Sequence, residues 1–162
     1  MLHTELVADH GRMIAATEGK TFPVGDSRIT IKIGMDDTGG KYEIVETTLP
    51  PGFESPPHVH QRMEQAFYVL EGEVEFKLDQ QTVRARAGAL VRVPTQVSHA
   101  FSNPTKVWGK MLQVHTGGSL ERMFEELAQT FPAGTPIDRE RMAAIMQRYD
   151  QRPAQTKVAP TR

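Results

Sequence analysis

Cysteine is absent from the 162 residues, tryptophan occurs once, and aromatic residues make up only 7% of the chain. Without a thiol there is no disulfide framework, no thiolate-ligated zinc or iron–sulfur centre and no cysteine nucleophile. Any metal must be held by imidazole, carboxylate or amide groups. Charge of one sign is also missing: 19 Lys+Arg face 20 Asp+Glu, a net charge of −1. That balance provides no global attraction to nucleic acid or to anionic membranes. No stretch approaches the 18 or so consecutive apolar residues that a membrane span requires. The opening Met1-Leu2-His3-Thr4-Glu5-Leu6 lacks the basic start and apolar run of a secretory signal, so the expected compartment is the cytoplasm. Gly-rich phosphate loops, the nucleophile elbow and the dinucleotide fingerprint are all missing. A chain of this length predicts one domain with a core that needs no cross-links.

What the chain does contain is β-patterning. Ile29, Ile31 and Ile33 alternate with polar residues, the period of a half-buried strand. After the turn chemistry of Asp36-Asp37-Thr38-Gly39-Gly40, residues 42–49 resume an extended, β-branched run. Segments 67–70 and 74–78, around Glu71-Gly72-Glu73, read as a hairpin. Further short strands are expected over 82–86, 89–93, 97–101 and 107–115, which together argue for a sandwich or barrel. After Gly117-Gly118 the period changes. Leu120, Met123, Phe124 and Leu127 form the stripe of an amphipathic helix, with Ser119 as its N-cap. A second helix is expected from Asp138 to Tyr149, with Met142, Ile145, Met146 and Tyr149 on one face. The predicted organisation is a β-unit with an N-terminal arm over 1–118, a two-helix extension over 119–150, and a flexible tail over 151–162.

Two histidines stand out. His58 and His60 follow Pro56-Pro57 at i, i+2, and in a strand that spacing points both imidazoles to one face. Gly52, His58, His60 and Gly72 stand in fixed intervals, with four residues between His60 and Gln65 and six between Gln65 and Gly72. A second group follows: Gly88, five residues, Pro94, then His99, three residues, Asn103. These two groups resemble the paired motifs of the cupin superfamily, with Gln96 where that family usually has glycine. The whole chain is similar to small one-domain cupins often labelled quercetin-dioxygenase-like. The resemblance implies an all-β, jelly-roll-type cupin barrel with a C-terminal pair of α-helices.

It also implies three metal ligands, His58, His60 and His99, and a fourth position usually held by glutamate. The six-residue interval to Gly72 assigns that position to Gln65. Strand alternation agrees, since Gln65 shares a face with Phe67 and Val69. Glu64 is the alternative, and a bulge would exchange the two. Nitrogen-rich ligation suits Fe, Mn, Ni, Co, Cu or Zn. By the same alternation, Phe67 and Phe101 are expected to wall the cavity, and Gln113 and His115 share one face of the late strand. Arg84, Arg86 and Arg92 read as solvated strand positions, and His3 and His10 as surface residues of the N-terminal arm. The reading is a metal-dependent, dioxygenase-like oxidoreductase for a small, anionic or enolic organic substrate. Its alternatives are a non-catalytic ligand-binding cupin and a metal-dependent isomerase or lyase. A homodimer is expected, with no nucleic-acid or membrane partner.

Overall fold

The computed structural model describes residues 11–132, 136 and 138–154; His3 and His10 lie outside them. In chain order the elements are β1 (Lys20–Val24), β2 (Ser27–Ile33), β3 (Glu43–Leu49), β4 (His58–Val59), β5 (Glu64–Glu71), β6 (Glu73–Leu78), β7 (Gln81–Arg86), β8 (Leu90–Val93), β9 (His99–Ser102), β10 (Gly109–Thr116), α1 (Leu120–Thr130), α2 (Arg139–Arg148) and β11 (Arg152–Pro153). Alternation sets the strands. In β3 the side chains of Glu43, Val45, Thr47 and Leu49 are buried and the three between them half-exposed; β10 repeats the pattern with Met111, Gln113 and His115. One face of each strand therefore lines the interior.

The strands form two antiparallel sheets. One has the order β1-β2-β3-β10-β5-β8, the other β11-β4-β9-β6-β7. Leu49, Phe67, Val69, Val74, Phe76, Ala85, Val93 and Met111 fill the space between them. The hairpin expected across Glu71-Gly72-Glu73 does not form. β5 pairs with β10 and β8, whereas β6 pairs with β7 and β9. Gly72, at φ 75, carries the chain out of one sheet and into the other, passing so close to the Trp108–Gly109 backbone that a Cβ would meet the Trp108 carbonyl oxygen at 3.0 Å. Both strands need their apolar face covered, so they pack across the core instead of side by side. Phe67 and Phe76 meet there with ring centroids 5.3 Å apart.

Ser119 caps α1 through its side chain, which accepts from the Arg122 N–H, and Asp138 caps α2. Leu120 and Met123 of α1 bury Met63, and Leu127, Met146 and Tyr149 close over that cluster. The tail expected to fray from residue 151 is ordered at its start. Arg152–Pro153 pairs with Val59 and His58, and the Ala154 N–H donates to the Pro57 carbonyl at 3.1 Å. β4 is two residues long and lies between β9 and β11, and a proline is acceptable in β11 because an edge strand need not donate at every position. Residues 155–162 lie outside the described part. Among the described residues, no helix is long and apolar enough to cross a membrane.

Candidate metal centre

His58 opens β4, and His60 follows it just past the strand end. His99 opens β9 and is the direct cross-strand partner of His58. The three imidazoles are buried, and one ligand-capable nitrogen from each lies within 4.8 Å of the others. Ring centroids are 4.2 Å apart for His58 and His99, 5.0 Å for His58 and His60, and 5.4 Å for His60 and His99. Gln65 comes from the opposite sheet. It is 4% exposed and shares the inner face of β5 with Phe67, whose ring centroid is 6.2 Å from that of His99.

The hydrogen bonds fix how these rings are presented. His58 Nδ1 contacts the Pro56 carbonyl at 2.8 Å, His60 Nδ1 the Asp150 carbonyl at 2.8 Å, and His99 Nδ1 the Val97 carbonyl at 3.1 Å. A carbonyl oxygen only accepts, so each Nδ1 carries the proton and each Nε2 keeps its lone pair. His60 Nε2, His99 Nε2 and Gln65 Oε1 are buried with no hydrogen-bond partner. Buried acceptors without partners are costly. A divalent cation would satisfy the histidine nitrogens, which lie within 4.8 Å of one another, so the three-histidine set fits one, and the Nδ1 bonds are of the kind that hold metal-binding histidines in place.

Electrostatics agree. Burial pushes the imidazoles toward the neutral form that ligation requires. Burial, and then the proximity of His58, lowers His60 to about 4 and His99 to about 3. His58 is also lowered, by burial against the opposing effect of the Pro56 bond.

Two further carboxylates, Glu43 and Asp150, are buried. Burial alone would raise the Glu43 carboxyl, but His115 and the N–H groups of Glu121 and Leu120 hold it below its ordinary value. Those N–H groups belong to the first turn of α1, where Ser119 Oγ also donates to Glu43. His115 Nδ1 lies 3.7 Å from Glu43, its Nε2 contacts Gln113 Oε1 at 3.0 Å, and Gln113 Nε2 donates to Thr47 Oγ1 at 2.6 Å. Asp150 is the second. Burial alone would raise it, but the N–H groups of Arg62, Met63 and Gln61 donate to it and hold it low.

The family model for the cupin domain matches residues 45–115, which include all three histidines and Gln65. The chain carries a cupin domain over those residues. A quercetin 2,3-dioxygenase of Bacillus subtilis (strain 168) is 25% identical over 119 residues, covering 74% of this chain; the chain spans 35% of that relative's length. Solved structures share the barrel. A predicted oxalate decarboxylase from Thermotoga maritima superposes with a TM-score of 0.62 at 19% identity, over 65% of this chain and 98% of that one. The polyketide cyclase RemF from Streptomyces resistomycificus gives 0.61 at 23%, over 68% of this chain and 82% of that one.

Within this cupin barrel the sequence-derived residues fall as follows. His58, His60 and His99 converge, and Gln65 faces inward. Glu64 points away and pairs with Arg92 on the outside. Phe67 is fully buried in the core beneath His99, and Phe101 packs beside it at 5.8 Å, stacking on Phe53 at 5.9 Å. Gln113 and His115 do face the interior; Gln113 bonds His115 Nε2 and Thr47, while His115 Nδ1, 3.7 Å from Glu43, is buried without a hydrogen-bond partner. Arg84 and Arg86 are solvated and pair with Glu75 and Glu73. Sequence reasoning missed Glu43 and Asp150. Glu43 stands at the inward parity of Val45, Thr47 and Leu49 and was legible as a buried acid on that ground; Asp150 carries no local signal.

Proposed function

We propose that this cupin is a metal-dependent oxidoreductase of the dioxygenase-like kind, acting on a small anionic or enolic organic substrate. The observation that carries the reading is the set of buried acceptors without partners, His60 Nε2, His99 Nε2 and Gln65 Oε1, beside a His58 held in the same tautomer. His58, His60, His99 and Gln65 would hold a divalent transition metal. Bound there, the metal supplies Lewis acidity toward a substrate oxygen and a redox-capable centre for reaction with dioxygen.

The residues themselves do the rest. All four donors are neutral, so none compensates a +2 charge, and the centre selects a substrate that brings its own negative charge. Phe67 and Phe101 wall the inner end and exclude water. Gln65 accepts no proton, so it serves as a donor atom and not as a general base. Likeness to the quercetin dioxygenase favours dioxygen as the oxidant.

The test is to measure bound metal by mass spectrometry, reload the protein, and follow oxygen uptake with a panel of phenols and enediols. Uptake that needs both metal and His99 is expected. Metal-loaded protein that consumes no oxygen, yet is thermally stabilised by a small acid, would replace the enzyme with a ligand-binding cupin. Protein that takes up no metal would remove the reading altogether.

A further inference from the structure

We propose that Asp150 is a positioning residue of the metal centre, through which the segment after α2 sets His60 and the loop leading to Gln65. The inference rests on reading the three-histidine cluster as a metal site. Asp150 lies 90 residues beyond His60 in the chain, yet it touches that ligand with its backbone and the adjoining loop with its side chain. Its carbonyl accepts from His60 Nδ1 at 2.8 Å. Its carboxylate accepts from three successive N–H groups, Gln61 at 3.1 Å, Arg62 at 2.7 Å and Met63 at 2.8 Å. Residues 61–63 are most of the link between His60 and Gln65, so one aspartate grips one candidate ligand and the tether to another.

The local backbone shows how the grip is built. Asp150 adopts φ 68, a left-handed conformation that aspartate tolerates better than most residues and that still costs free energy. The bend reverses the chain at the end of α2. The Asp150 N–H donates to Gln147 and the Gln151 N–H to Met146, while Arg152–Pro153 joins β4 opposite Val59 and His58. The carboxylate is 4% exposed as a residue, and its known partners are the three N–H groups. A buried carboxylate with three charge-assisted bonds is a strong anchor. Helix packing and ligand orientation are thus linked through one side chain.

The test uses the full chain, stripped of metal and titrated with Co²⁺ while its visible spectrum is recorded. Asp150→Gly keeps the left-handed bend available and deletes only the carboxylate. It is expected to weaken Co²⁺ binding about 10- to 100-fold and to change the Co²⁺ spectrum. Asp150→Asn, which tolerates the same φ and whose amide oxygen can still accept from Arg62 and Met63 while its NH2 faces the Gln61 N–H, should recover part of that loss. Ile31→Ala, a core change in β2, is the stability control: it lowers the melting temperature and leaves affinity and spectrum unchanged. Asp150→Ser, with one acceptor for three donors, serves if the glycine variant does not fold. Wild-type affinity and spectrum in the glycine or serine variant would overturn the proposal, as would an equal loss in Ile31→Ala. Wild-type protein that binds no Co²⁺ refutes the metal reading instead. The latch is then read from the histidine side-chain ¹⁵N spectrum of metal-free protein, where loss of the carboxylate must move the His60 Nδ1–H signal; an unmoved signal overturns it.

Discussion

At Gln65 a neutral amide stands where the resemblance leads one to expect a carboxylate, and its buried Oε1 has no hydrogen-bond partner. Gln65→Glu should therefore do two opposite things. In metal-free protein it buries a carboxylate at a 4% exposed position, which lowers the melting temperature. With metal it supplies the missing negative charge and tightens binding by about tenfold, or about 1.4 kcal/mol. Metal titration and melting curves with and without metal check both. An unchanged affinity would remove Gln65 from the ligand set. Gln96 is a second single-residue test. It sits at φ 65, at the position where related motifs carry glycine, and its N–H donates to the His60 carbonyl at 2.7 Å. Gln96→Gly relieves left-handed strain of about 1–2 kcal/mol and loses about 0.4–1 kcal/mol to unfolded-state entropy. Urea unfolding should show a net gain of about 0.5–1 kcal/mol. At this scale the sequence was informative because strand parity is binary. It separated Gln65 from its neighbour Glu64, which the structure turns outward to Arg92.

Among the elements, α1 depends on a residue outside itself. Glu43 of β3 accepts from the N–H groups of Leu120 and Glu121 and from Ser119 Oγ, and it faces His115. Glu43→Ala leaves those donors buried without an acceptor. The expected loss is about 3–5 kcal/mol, measured by denaturant unfolding, with the far-ultraviolet helix signal reduced; a loss below 1 kcal/mol would contradict the capping role. Strands β3, β5 and β10 were legible because their inward positions alternate without interruption. The β5–β6 connection was not. A tight Glu-Gly-Glu turn between two apolar strands looks the same whether the strands pair or cross the core, and only the second sheet's partners decide it. The pairing of Arg152–Pro153 with β4 was hidden for a similar reason, since nothing local in a Pro-containing basic segment records the open edge it meets.

For the whole molecule, the centre's burial makes stability depend on pH. The folded-state imidazoles are depressed, His60 to about 4 and His99 to about 3, from an ordinary 6.5. Between 6.5 and those values the unfolded chain binds more protons, so stability is lost as pH falls through that window. His60 alone accounts for about 3 kcal/mol of metal-free stability lost by pH 4. Glu43 and Asp150, both held below ordinary carboxylate values, add a further loss below that. Melting curves of metal-free protein should fall steadily from pH 6.5 to 4; a flat profile would contradict the buried, neutral cluster. The barrel and its three histidines were legible because ordered motifs and strand parity are local or nearly so. The contacts of Asp150 with His60 and of Glu43 with the start of α1 were not, because they arise only when residues some 80 or 90 positions apart are brought together. The central claim is that one cation binds where His58, His60, His99 and Gln65 converge. Anomalous diffraction from metal-loaded crystals tests it most directly. The account predicts one strong peak ligated by the three histidine Nε2 atoms and Gln65 Oε1; a metal-loaded crystal with no peak there, or with the metal bound elsewhere, would contradict it.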